Sequence, residues 1–177
     1  MTNNCIVINL FGGPSSGKST AMAGLFYMMK KHGRRVEMAH EYVKLAVYDG
    51  SIHNMSQYDI LLAQHHTIST FHDSGLLEYV ITDAPLLMSC IYGGSSVVCK
   101  QAKRLNSNFN NLNFFINRSG PFQKEGRIHN EEESVDIDKR IKMLLNDVNE
   151  PYIEVQASAD IDKTLYGHIA LKQLKSY

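Results

Sequence analysis

Short apolar runs alternate with longer stretches of helical periodicity along the chain. Residues 5–11 form a run of buried-strand type. Residues 21–30 have helical length and apolar spacing, and His32-Gly33 marks the stop. A second strand is predicted over 34–39, ending at His40-Glu41-Tyr42, while 43–55 fit neither period and contain an Asp49-Gly50-Ser51 turn. Ser56 is placed to cap a helix through about Phe71, on which Ile60, Leu61, Ala63, Ile68 and Phe71 offer an apolar face. Gly75 breaks that helix before a third strand at 79–82, which delivers Asp83 at its carboxyl end. Pro85 suits the first turn of a helix over 85–92, and Gly93-Gly94 separates it from another over 95–105. A strand at 112–116, a helix over 133–148, a strand at 151–155 and a closing helix over 161–175 complete the pattern. Five short strands alternating with helices predict an α/β fold with a parallel sheet covered on both faces. Residues 118–132 carry glycine, proline and charge without an apolar period, and a loop of that length in a compact domain is usually functional or disordered.

The turn between the first strand and the first helix reads Gly12-Gly13-Pro14-Ser15-Ser16-Gly17-Lys18-Ser19-Thr20 and fits G-x-x-x-x-G-K-[ST]. Strand, glycine-rich turn and helix is the context that this phosphate-binding pattern needs. Glycines let successive N–H groups point at phosphate oxygens, and the helix start adds the positive end of its dipole. Lys18 is expected to bridge the β- and γ-phosphates of ATP, and the Ser19 hydroxyl to ligate Mg²⁺. Ligands of parallel sheets sit beyond the carboxyl ends of the strands. Glu41, Asp83 and Arg118 all follow strand ends, on the rim that carries the loop. The cluster Lys30, Lys31, Arg34, Arg35 falls on the opposite rim and reads as solvated surface.

Composition narrows the class. With 177 residues, 44% hydrophobic and 20% charged, the chain reads as one soluble domain, residues 1–177, with a core of ordinary size. No apolar run approaches membrane-spanning length and the start does not resemble a signal peptide, so no membrane partner is expected. Cys5, Cys90 and Cys99 are odd in number and match no metal spacing, so a reduced, cytoplasmic setting is predicted. His65-His66 does not make a metal pair, because adjacent helical residues point different ways. A formal net charge of zero gives no global field toward nucleic acid, although Lys100, Lys103 and Arg104 share one helical face.

Beyond the loop, four segments carry a family resemblance: Glu41-Tyr42-Val43-Lys44, Thr82-Asp83-Ala84-Pro85-Leu86-Leu87, Asn113-Phe114-Phe115-Ile116-Asn117-Arg118 and Gly126-Arg127. In this order, after Gly12 to Thr20, they resemble a phage-encoded group of small P-loop kinases related to nucleoside kinases and nicotinamide riboside kinase domains. The group includes proteins similar to 5-hydroxymethyluridine DNA kinase, which phosphorylates a modified pyrimidine already in phage DNA. The resemblance covers nearly the whole chain. It implies a P-loop three-layer sandwich of nucleoside monophosphate kinase type, with five parallel strands in the order 2-3-1-4-5 and a mobile lid at about 118–132. A phage origin would place the protein in the host cytoplasm.

The same resemblance suggests roles. Glu41 becomes the base that accepts the acceptor hydroxyl proton, and Asp83 a Walker-B-type ligand of Mg²⁺; the two could exchange roles. Lys44, one helical turn beyond Glu41, would meet a phosphate on the acceptor. Arg118, Lys124 and Arg127 resemble lid cations that close over the transferring phosphoryl group. Gln64 would read a base edge, as glutamines do in deoxynucleoside kinases. The expected acceptor is modified phage DNA or a free nucleoside or nucleotide. A nucleotide-dependent switch is the alternative from another class, but the chain has no N-K-x-D motif, and Ala84 rather than an acid follows Asp83.

Overall fold

The computed structural model describes residues 4–43, 48, 55–119 and 131–174. Along them run β1 (Ile6–Phe11), α1 (Lys18–Lys31), β2 (Val36–Ala39), α2 (Gln57–Asp73), β3 (Tyr79–Thr82), a 3-10 turn (Leu86–Cys90), α3 (Ser96–Asn106), β4 (Asn110–Asn117), α4 (Glu131–Asp147), β5 (Tyr152–Gln156) and α5 (Ile161–Leu174). The strands pair in parallel in the order β2-β3-β1-β4-β5, as the kinase resemblance implies.

Alternation along the strands sorts the core into layers. Ile8 and Leu10 of β1 pack on one face with Met22, Leu25 and Met29 of α1 and Leu165 and Ile169 of α5. Val7 faces the other way, onto Leu61 and Ile68 of α2 and Val98 and Ala102 of α3. Phe11 and Phe115 meet Leu87 and Met88 of the 3-10 turn and Ile137, Ile141 and Leu145 of α4. Each large apolar side chain fully buried here stabilises the fold by roughly 1.5–3 kcal/mol. Among the described residues no helix is long and apolar enough to cross a membrane.

Two elements differ from the sequence pattern. The helix expected over 85–92 is a 3-10 turn, entered from Pro85 in extended backbone at ψ 145°. Gly93 then turns the chain at φ 82°, and a Cβ at Gly94 would run into the Ser89 carbonyl oxygen, so the chain folds back before an α-helix can extend. That reversal sets the Cα atoms of Cys90 and Cys99 4.7 Å apart, and the two are joined in a disulfide. The cysteines are expected to sit in a reduced, cytoplasmic setting; the structure pairs two of them and leaves Cys5 as a thiol, buried under the sheet. β4 is also longer than expected and runs through Asn110, Asn111 and Asn113, residues that usually favour turns. The amides of two of them are engaged in place: the Asn9 amide donates to Asn111 Oδ1 at 2.8 Å and to Asn113 Oδ1 at 2.9 Å, from the neighbouring strand.

Candidate active site

The loop is bent by its own residue types. Gly12 takes φ 144°, Ser15 φ 61° and Gly17 φ 88°, all in the region that favours glycine. α1 starts immediately after Gly17 with no side chain capping its N-terminus, whereas Ser56 and Ser95 cap α2 and α3. With no side chain capping that end, its first-turn N–H groups and dipole suit an anion. Lys18 Nζ donates to the carbonyls of Gly12 at 2.7 Å and Gly13 at 2.9 Å, folded back over the loop it belongs to.

β3 lies directly beside β1, with Asn9 opposite Thr82, and this register carries Asp83 to the loop. The Ser19 hydroxyl donates to Asp83 Oδ2 at 2.6 Å. Asp83 is 6% exposed, and its Oδ1 has no partner. Among the described residues, the buried side-chain polar atoms left without a partner are Ser16 Oγ, Asp83 Oδ1 and Arg118 Nε. An orphaned polar atom in a native interior costs about 1–3 kcal/mol, so such groups accumulate where a ligand completes them. All three stand on the phosphate loop or on the strand ends that flank it. The donor set fits the expected ligands: hard oxygens from Ser19 and Asp83 suit Mg²⁺, and N–H groups with a lysine suit phosphates.

The family model described as an AAA domain matches residues 7–163. The chain belongs to the AAA domain family. A search of curated proteins finds no match to it. The matched span of this AAA domain takes in β1 from Val7, the loop, the other four strands and the start of α5. It is thus a nucleotide-binding domain of P-loop NTPase type, a class whose chemistry is NTP hydrolysis or phosphoryl transfer.

The remaining predicted residues of the AAA domain divide sharply. Ala39 of β2 pairs with Thr82 of β3, so Glu41 and Asp83 leave the sheet from adjacent strands on the loop's rim. Glu41 is exposed there. Arg118 follows β4, and its guanidinium pairs with Asp138 Oδ2 at 2.9 Å. Lys44, Lys124 and Arg127 lie outside the described residues. Gln64 does not stand open toward a base: it is 4% exposed. Its Oε1 accepts from the Tyr42 N–H at 3.3 Å, and its Nε2 donates to Thr82 Oγ1 at 3.1 Å.

Asp138 is the site residue that sequence reasoning missed. Its Oδ1 accepts the Gly13 N–H at 2.5 Å while Oδ2 holds Arg118, so one carboxylate of α4 ties the loop to the end of β4. The contact spans 125 residues of sequence, and no local pattern announces it. The available signal is a polar pair, Ser134 and Asp138, one turn apart on α4 beside the start of its apolar stripe. Gly13 is needed for this approach: a Cβ there would lie 2.7 Å from the Ser134 carbonyl and 2.8 Å from Asp138 Oδ1.

Proposed function

We propose that the domain is an ATP- and Mg²⁺-dependent phosphotransferase that moves the γ-phosphoryl group to a hydroxyl. The observation that carries this reading is the Ser19–Asp83 hydrogen bond beside three orphaned polar atoms, all at one phosphate loop. Ser19 and Asp83 would hold Mg²⁺, which offsets charge on the phosphate oxygens when bound. Lys18 would swing from its two carbonyls to the β- and γ-phosphates. The acceptor oxygen then forms its bond to the γ-phosphorus as the bond to the β-bridging oxygen breaks, ADP leaves, and the hydroxyl proton passes to the Glu41 carboxylate. Arg118 and Arg127 would stabilise the charge spread over the transferring group.

The residue after Asp83 favours transfer over hydrolysis. Ala84 offers no carboxylate to activate water, and its N–H is held by Thr82 Oγ1 at 3.1 Å. The most specific acceptor in this reading is the 5-hydroxymethyl group of 5-hydroxymethyluracil in phage DNA. Lys100, Lys103 and Arg104, all exposed on α3, supply a face for a phosphate backbone. The second reading is a soluble nucleoside, nucleoside monophosphate or nicotinamide riboside kinase, which the zero net charge favours.

The test is transfer of labelled γ-phosphate to a parallel panel of ordinary DNA, DNA containing 5-hydroxymethyluracil, free nucleosides, nucleoside monophosphates and nicotinamide riboside. Label on the hydroxymethylated DNA alone is expected. Label on a small molecule alone selects the second reading. Rapid ATP hydrolysis with no labelled acceptor would replace both with a nucleotide-dependent switch.

A further inference from the structure

The buried Gln64 amide is the centre of a hydrogen-bond chain that joins the two strand ends carrying the acids. On one side its oxygen takes the backbone N–H of Tyr42, the residue next to Glu41. On the other its nitrogen donates to Thr82 Oγ1, and the same oxygen accepts the Ala84 N–H, so the hydroxyl of Thr82 spans Asp83. Gln64 is 4% exposed and Thr82 fully buried, which keeps water from replacing the link between them, while the Tyr42 link lies nearer the surface. Gln64 is itself fixed by α2, whose Leu61 and Ile68 are packed into the core one turn to either side.

We propose that Gln64 is a positioning residue: it sets the segment bearing Glu41 against the end of β3 bearing Asp83. The amide is suited to this because it accepts and donates at once. The backbone N–H of Tyr42 needs an acceptor and Thr82 Oγ1 receives a donor, so neither a carboxylate nor an aliphatic side chain makes the same pair of bonds. Among the described residues the β2 ladder ends at Ala39, and the Gln64 side chain from α2 reaches Tyr42 just beyond it. The inference rests on the reading of Glu41 as the base, and it replaces base recognition by Gln64 with a structural link between the two acids.

The experiment measures kcat and KM for Gln64→Met and Thr82→Val, each alone and combined with Glu41→Ala, on the acceptor that the panel identifies. A displaced base loses rate steeply, so each single variant is expected to lose kcat by about 10- to 100-fold while KM for ATP stays within about twofold. Because the loss acts through Glu41, neither variant should slow Glu41→Ala further. Thr82→Ser keeps the hydroxyl and is expected to retain kcat. An equal loss with and without Glu41 overturns the proposal, as does a Gln64→Met effect confined to KM for the acceptor, which would mark a base-reading group. Full turnover in Glu41→Ala alone would instead remove the base reading and the proposal with it. Should Gln64→Met fail to fold, Thr82→Val breaks the same chain from its other end.

Discussion

Lys18 and Glu41 differ in what surrounds them, and their substitutions should differ accordingly. Lys18 Nζ rests on two loop carbonyls at 2.7 and 2.9 Å and has only to exchange them for phosphate oxygens. Removing a donor aimed at developing charge costs about 10²–10³ in kcat, so Lys18→Ala should lower label transfer by at least that factor and weaken nucleotide binding as well. Glu41 is exposed and outside the loop. Glu41→Ala should therefore leave binding of a fluorescent ATP analogue unchanged while removing about 10²–10⁴ of turnover, the usual worth of a general base. Unchanged turnover would take Glu41 out of the chemistry. The loop residues are legible in the sequence because their spacing encodes their geometry, backbone first. Arg118 is legible as a strand-end cation, but its tie to Asp138 is not, since that contact depends on where α4 lands.

At the scale of elements, packing between the loop and α4 makes a sharp demand on Gly13. A methyl there would meet the Ser134 carbonyl at 2.7 Å, so Gly13→Ala should destabilise the fold by about 1–3 kcal/mol. The readout is a thermal midpoint lower by several degrees, together with weakened nucleotide binding. A midpoint within a degree of the parent's would show that α4 gives way at no cost. The start of α2 offers a second check, independent of the site. Ser56 Oγ accepts the Asp59 N–H at 3.1 Å and the Asp59 carboxylate accepts the Ser56 N–H at 3.2 Å, a reciprocal cap. Ser56→Ala should cost about 1 kcal/mol in denaturant unfolding with transfer unaffected. That cap was visible in the sequence as a serine before an apolar period. The full length of β4 was not, because its asparagines look like turn formers until a partner on the neighbouring strand engages their amides.

For the molecule as a whole, two solution properties are expected. Burial first, and the charge of Asp73 second, push the Cys5 thiol up to about 11. Between the ordinary thiol range and that value the unfolded chain gives up a proton that the folded chain keeps, so stability falls as pH rises. The thiol's contribution is intact below about pH 9 and is lost on the way to about 11, and Cys5→Ala should flatten this part of a stability–pH profile relative to the parent protein. The second property concerns the acceptor. If DNA lies along α3, acceptor binding should weaken steeply with added salt through counterion release, whereas a free nucleoside should respond little. Flat binding across salt would count against DNA.

The sequence by itself determined the α/β class, the approximate places of the five strands and the phosphate loop with its lysine and serine. These depend on periodicity and on short, contiguous spacings, which the chain carries locally. The parallel sheet order was reached only through family resemblance, and the structure places β3 beside β1, which brings Asp83 to Ser19. Tertiary structure alone decided that Asp138 joins the loop to Arg118, that Gln64 is buried between two strand ends, and that Cys90 meets Cys99. Those contacts arise when distant helices settle on the sheet, and a side chain's partners there are set by packing geometry that no local pattern contains.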